Sequence, residues 1–209
     1  MTTKQLASLE AVAKKAAARA SQAMSKLIGV PVTLEVTRAR MVEVERLVEL
    51  IASPEERVAA VMLPVTGEGL GSSALVSSIE ESFHLAELLL KQPRGSITEH
   101  SGKVTSALQE TANIIGGAFL SELSNTTNIS LVQSVPSFLA DTIKGVVDAA
   151  MVKLHHDDGK LSVAFEVDFG LSVSTTTTTT TETIVAHYLF LLQVAFAQKL
   201  LAALEKTTV

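Results

Sequence analysis

The sequence predicts an α/β protein built from two similar halves, and three observations carry that prediction. Segments with helical and with strand periodicity alternate along the chain. The order helix, strand, strand pair, helix occurs twice. The composition, 209 residues with 47% hydrophobic and 19% charged, gives enough apolar surface for a core and too much for disorder.

Residues 3–28 place Leu6, Leu9, Val12, Ala13, Ala16 and Ala20 at helical spacing, and Gly29 supplies a stop. In VPVTLEVTRARMVEV, residues 30–44, β-branched residues alternate as on a strand. Ser53-Pro54 punctuates. ERVAAVMLPVTGEG and LGSSALVSS read as two strands joined by a glycine-containing turn. A helix from about Ile79 to Lys91 closes the first half, stopped near Pro93 and Gly95.

A helix from about Gly102 to Leu123 opens the second half, and NISLVQSV follows as a strand. Pro136 to Asp141 is expected to begin a short helix reaching Val147. MVKLHHDDGKLSVAFEVDFG is expected to form a hairpin across Asp158-Gly159, a dipeptide suited to a type I′ turn. ETIVAHYLFLLQ is an apolar strand and VAFAQKLLAALEK a terminal helix. The run Thr175–Thr181 reads as an exposed hairpin loop or an edge strand, because threonine's branched Cβ favours extended backbone. Setting Ser25 against Ser124 aligns the halves, about 1–98 and 99–209 of a single domain, at an offset of 99 residues. Leu34 then faces Gln133 and Val36 faces Val135. Identities are few, so the duplication rests on element order.

A net charge of −5 without any basic block argues against a nucleic-acid footprint. The absence of cysteine excludes disulfides, thiolate metal sites and thiol catalysis, and suits the cytoplasm. MTTKQLASLEAVAKK carries charges where an export signal needs an apolar centre. His187, Gln193, Gln198 and Lys199 interrupt the most membrane-like stretch, IVAHYLFLLQVAFAQKLLAALE. A soluble cytoplasmic protein is therefore expected.

Chemistry concentrates on the central helix. Ser106, Glu110 and Asn113 are spaced i, i+4, i+7 and share one helical face. Such spacing also describes the wet face of any amphipathic helix. Two details point further. Gly116-Gly117 each cost roughly 1 kcal/mol against alanine in a helix, which suggests close backbone approach by a neighbour. Asn113 is a mediocre helix former in a helix interior.

With Pro136 placed 23 positions after Asn113, this pattern of Ser, ExxN and distant Pro resembles the CheC-type phosphatases of bacterial and archaeal chemotaxis. PVTGEGLGSSAL resembles the family's strand-turn-strand segment and ETANIIGGAFLSELS its ExxN helix, so the likeness spans about residues 5 to 205. The resemblance implies a CheC-like fold, its two halves sharing one antiparallel sheet with helices packed on it. It implies hydrolysis of the aspartyl phosphate on a CheY-type response regulator, with Mg²⁺ held by that partner and no cofactor in the chain itself. Asn113 would orient the attacking water, Glu110 would pair with a lysine of the partner, Ser106 would contact the partner, and Pro136 would shape the backbone beside the site.

CheC proteins often carry a second ExxN on the first helix. Here the matching positions are Ala11, Lys14 and Thr37, none of which fits, and Glu10 lies one residue, about 100°, off the face. The first copy reads as dead. CheX members also carry one ExxN, but they are shorter, and the length and pseudo-repeat favour CheC. A rival reading is a regulator that binds CheD, the receptor deamidase. A third is a flagellar-switch component like FliY, which would normally carry a further C-terminal domain. Other features read as structural. Gly67, Gly69 and Gly71 precede a strand rather than a phosphate-binding helix. His155, His156, Asp157 and Asp158 crowd a turn, and His84, His100 and His187 stand singly as surface or core residues. Lys14, Lys15, Arg19 and Lys26 form a solvated face.

Overall fold

The structure, a computed structural model, describes residues 1–51, 53–69, 71–154, 162–174 and 181–206. Its elements run α1 (Thr3–Ile28), β1 (Val32–Glu43), α2 (Val44–Ile51), β2 (Arg57–Gly67), β3 (Gly71–Ser78), α3 (Ile79–Leu90) and α4 (Gly102–Thr127). There follow β4 (Leu131–Gln133), β5 (Ser137–Thr142), α5 (Ile143–Leu154), β6 (Ser162–Ser174), β7 (Thr181–Gln193) and α6 (Val194–Lys206). A capping box opens α1: the Thr2 hydroxyl accepts from the Gln5 N–H, and the Gln5 side chain accepts from the Thr2 N–H. Helix α1 then holds the start of β1, whose Val32 and Leu34 N–H groups donate to the hydroxyls of Ser25 and Ser21 at 2.9 and 2.8 Å.

The strands pair antiparallel in one sheet of order β1-β6-β7-β3-β2, with β4 and β5 end to end along the outer edge of β2. The central strands are apolar on both faces. Val61, Leu63 and Val65 of β2 join Tyr188, Phe190 and Leu192 of β7 under α1, α3, α4 and α6. Ala60, Met62, Leu189 and Leu191 point the other way, towards α2 and α5. Burial on both faces accounts for the near-continuous apolar runs of β2 and β7. Phe119 of α4 is fully buried, its ring 4.9 Å from that of Tyr188 and 6.4 Å from that of Phe190. It pins α4 over the middle of the sheet.

The strand order is unchanged when the two halves are exchanged. β3 and β7 meet at the centre, β2 and β6 flank them, and each flank receives the first strand or strands of the other half. Helices α1 and α4 both have 26 residues and begin 99 positions apart. Their left-handed caps, Gly29 (φ 86°) and Asn128 (φ 55°), differ by the same step. At that step β1 corresponds to β4 plus β5. β1 continues through a bulge between Val36 and Arg38, whereas its counterpart is broken at residues 134–136.

Two local expectations are corrected, and one helix was not expected. Residues 137–142 are a strand, not the start of a helix, because the edge of β2 from Arg57 to Met62 needs a partner. Pro136, with fixed φ and no N–H, suits the entry to such an edge strand. The helix that follows reaches Leu154, so residues 151–154 are not a hairpin arm, and β6 pairs with β1 and β7 instead. Helix α2 is short, and the strand pattern before it runs into its amphipathic VERLVELI without a break signal. Asp158-Gly159, the His155–Asp158 cluster and Thr175–Thr180 lie outside the described residues; Ser174 and Thr181 face each other across β6 and β7.

Among the described residues no helix is long and apolar enough to cross a membrane. Truncating Phe119 should leave a cavity between α4 and the sheet centre. Phe119→Ala is expected to lower unfolding free energy by about 3–5 kcal/mol, measured by urea denaturation; a loss under about 1 kcal/mol would contradict this packing.

Candidate functional site

The site starts with a gap in the sheet. Val65 pairs with Gln133 and Met62 with Ser137, leaving residues 134–136 opposite Leu63 and Pro64 without a ladder. Pro64 has no N–H to offer, and its carbonyl accepts one bond from the Ser134 N–H at 2.8 Å. The segment therefore bulges outward and leaves Val135 81% exposed. The turn after β2 fixes the start of β4. A Cβ on Gly67, at φ 125°, would meet the Ser130 carbonyl at 2.2 Å, and Glu68 accepts from the Ser130 N–H and from Lys199 Nζ. Gly67, Gly69 and Gly71 thus serve a strand-to-strand turn.

Helix α4 lies beside this bulge and is stitched to it by two glutamines. Gln109 Nε2 donates to the Pro136 carbonyl at 3.2 Å, and Gln133 Nε2 donates to Asn113 Oδ1 at 2.8 Å. Gly116 makes the second bond sterically feasible, since a Cβ there would stand 2.6 Å from Gln133 Oε1. That Oε1 is buried with no hydrogen-bond partner among the described residues, a state that costs about 1–3 kcal/mol.

Helix α4 carries Glu110 and Asn113 three residues apart; the bulge at Pro136 is joined to Gln109, and β4 to Asn113. Glu110 is exposed and has no hydrogen bond or ion pair among the described residues. Asn113 is half-buried; its carbonyl accepts from Gln133, and its NH₂ group has no hydrogen-bond partner among the described residues. Ser106 is exposed and its hydroxyl donates back to the Gly102 carbonyl at 2.7 Å, so nothing activates it as a nucleophile. A shallow apolar groove of about 430 Å³, formed by Leu27, Leu89, Leu90, Ala107 and their neighbours, runs along Ser106 and Glu110. Sequence reasoning missed Gln109 and Gln133. The only sequence signal for Gln133 was its alignment with Leu34, a polar residue opposite an apolar one.

A second cluster joins three strands. Glu166 and Asp168 of β6 and His187 of β7 place their ligand atoms within 4.8 Å of one another. His187 is thus not the solitary residue the sequence suggests; Glu166 and Asp168, two apart on a strand, share its face. Glu166 is buried and accepts from Arg40 Nε, while Asp168 Oδ1 lies 2.7 Å from His187 Nδ1. Burial pushes the Asp168 carboxyl up, but the His187 hydrogen bond and the charges of His187, Arg38 and Arg40 outweigh it and hold it low. The three residues offer a divalent ion a carboxylate and imidazole set. With Arg40 bound to Glu166, however, they form a self-compensated ion-pair network.

His100 anchors the chain just before α4. It lies between the rings of Phe83 and Phe138, at 4.6 and 4.7 Å, and 2.9 Å from the Ser82 hydroxyl.

With this geometry in place, similarity to known proteins is informative. No family model matches the chain. It is 25% identical over 148 residues, 70% of its length and 71% of the relative's, to the CheY-P phosphatase CheC of Bacillus subtilis. Its fold superposes on FliY of Thermotoga maritima with a TM-score of 0.73 at 15% identity, covering 100% of this chain and 99% of that one. The chain is thus similar in sequence to a CheC protein and in fold to FliY. No one subtype is singled out. The middle domain of Helicobacter pylori FliM shares the fold too, at TM-score 0.67 and 11% identity over 97% of this chain and 99% of that one.

Burial, aided by the charge of Arg57, holds the His100 pKa below the ordinary histidine value. The unfolded chain therefore takes up a proton below about pH 6.5 that the folded chain resists. Stability is expected to be fully present above that pH and to fall as pH drops towards the lowered folded value. Urea midpoints between pH 7.5 and 5 should show this slope in wild type and a shallower one in His100→Gln; equal slopes would remove His100 as the cause.

Proposed function

We propose that this chain hydrolyses the aspartyl phosphate of a CheY-type response regulator in chemotaxis or motility signalling. The observation that carries the reading is the pair on α4, an exposed Glu110 carboxylate and a half-buried Asn113 amide held by Gln133. Similarity to a protein named CheY-P phosphatase supports it.

An aspartyl phosphate is an acyl phosphate and needs little covalent assistance. Mg²⁺ bound by the receiver neutralises the phosphoryl oxygens, and this chain supplies position. Asn113 enters beside the phosphoryl group and holds a water in line with the acyl oxygen. The water oxygen forms the new bond to phosphorus as the P–O bond to the partner's aspartate breaks. Phosphate leaves, and the aspartate is regenerated as its carboxylate. Glu110 pairs with a lysine of the receiver and fixes the docked register. Ser106, the exposed Val135 and the backbone shaped by Pro136 form the rim that meets the partner.

A second reading, a regulator that binds the CheD deamidase, draws on the first half. Ala11, Lys14 and Thr37 cannot perform the chemistry assigned to their counterparts, yet Lys14 and Thr37 remain exposed. Binding of CheD by a protein with both Asn113 and Glu110 replaced would support that role independently of catalysis.

The test is dephosphorylation of phosphorylated CheY-type receivers. Asn113→Ala is expected to lower kcat by about 10²-fold, to near the spontaneous rate. Glu110→Ala should act mainly by raising KM, about tenfold. A wild type that accelerates none of several receivers would remove the catalytic reading.

A further inference from the structure

We infer that Gln133 is a positioning residue for the Asn113 amide, with Gly116 as the gap that admits it; this rests on the phosphatase reading above. Gln133 reaches from β4 to donate Nε2 to Asn113 Oδ1 at 2.8 Å. One lone pair of Oδ1 is used and the rotation of the amide is fixed. The second lone pair stays available to accept a hydrogen bond from water, and the NH₂ group to donate to a phosphoryl oxygen. Without that donor the two ends of the amide are free to exchange places, and half of the orientations would present the wrong group.

Two independent observations show that Gln133 is not there for the fold. Its Oε1 is buried without a hydrogen-bond partner among the described residues, so an apolar residue would suit the place better. The other half of the chain supplies that apolar residue. At the step of 99 positions relating α1 to α4, Leu34 stands for Gln133, Ala17 for Gly116 and Lys14 for Asn113. Leu34 is 5% exposed and Ala17 3%, so that side is filled with apolar groups. Where the asparagine is absent, its donor and the gap are absent as well. Gln133, Gly116 and Asn113 therefore behave as one functional set.

The experiment compares wild type, Gln133→Leu, Gln133→Glu and Gly116→Ala as full chains. Steady-state kinetics on a phosphorylated CheY-type receiver are read beside binding to the same receiver loaded with beryllofluoride and beside thermal melts. Gln133→Leu is expected to lower kcat roughly ten- to a hundredfold. KM and affinity for the beryllofluoride form should stay within about twofold, with Tm at or above wild type. Gln133→Glu accepts but cannot donate, so it should lose the same rate despite its similar shape. Gly116→Ala, which crowds Gln133 from the helix side, should lower kcat without a matching loss of affinity.

Wild-type kcat in Gln133→Leu or in Gln133→Glu overturns the positioning role. Loss of kcat accompanied by lower Tm and weaker binding also overturns it, assigning Gln133 to the fold. A wild type inactive on every receiver would overturn the proposed function and this inference together, an outcome distinct from an active wild type with an indifferent Gln133.

Discussion

Strand β2 must satisfy its backbone on two edges while its side chains are buried on two faces, and Pro64 within it cannot donate a hydrogen bond. The rest of the site follows from that constraint. On the β3 side the ladder is continuous. On the other side it cannot be, so the neighbouring strand is split into β4 and β5 with a bulge between them. The bulge lifts Val135 into solvent, aims the Pro136 carbonyl at Gln109 and leaves Gln133 at the last rung of β4, facing α4.

The opposite corner of the sheet shows what happens without the break. There β1 runs past the equivalent point with a bulge at Val36 and Arg38, Thr37 in place of proline, and β6 alongside as its partner. The Thr37 hydroxyl merely reaches the Asp168 carbonyl at 3.4 Å. A bulge re-aims one side chain, whereas an interrupted strand exposes a whole segment. The two ends of the sheet are thus alike in topology and unlike in surface: Ser134 and Val135 stand exposed at one end, while at the other Arg40, Met41, Val42 and Glu43 of β1 line a hollow with Arg46 and Leu50 of α2.

Much of this was legible in the residues because the signals were local. Helices α1, α4 and α6 announce themselves by apolar spacing, and Gly29 marks where the first stops; α4 runs past the expected Leu123 to Thr127. The doubled order of elements and the offset of 99 were also visible, although sequence alone could not say that the halves interleave. What stayed hidden depended on partners distant in sequence. Ser137–Thr142 is extended because β2 has an edge to fill, not because of its own pattern. Gln133 has no helical or motif relation to Asn113; it meets it across space, after a turn whose geometry Gly67 and Glu68 decide. The line Ser106, Glu110, Asn113 was readable, while the atoms that orient it were not. His187 is the same lesson in the sheet, since its neighbours Glu166 and Asp168 lie on another strand.

The exchange of strands between halves also sets the order of events when the chain is made. β1 is synthesised early, yet its partner is β6, with Val32 paired to Val173 and Glu43 to Val163. At ordinary translation speeds of about 5–20 residues per second, that partner emerges on the order of ten seconds later. For that interval β1 is an unpaired strand, the kind of edge that aggregates. The serines of α1 answer the problem locally. By accepting the N–H groups of Val32 and Leu34, Ser21 and Ser25 hold the beginning of β1 against a helix that is complete before it. The first half would then serve the nascent chain, guarding an open edge until β6 and β7 arrive to close the sheet.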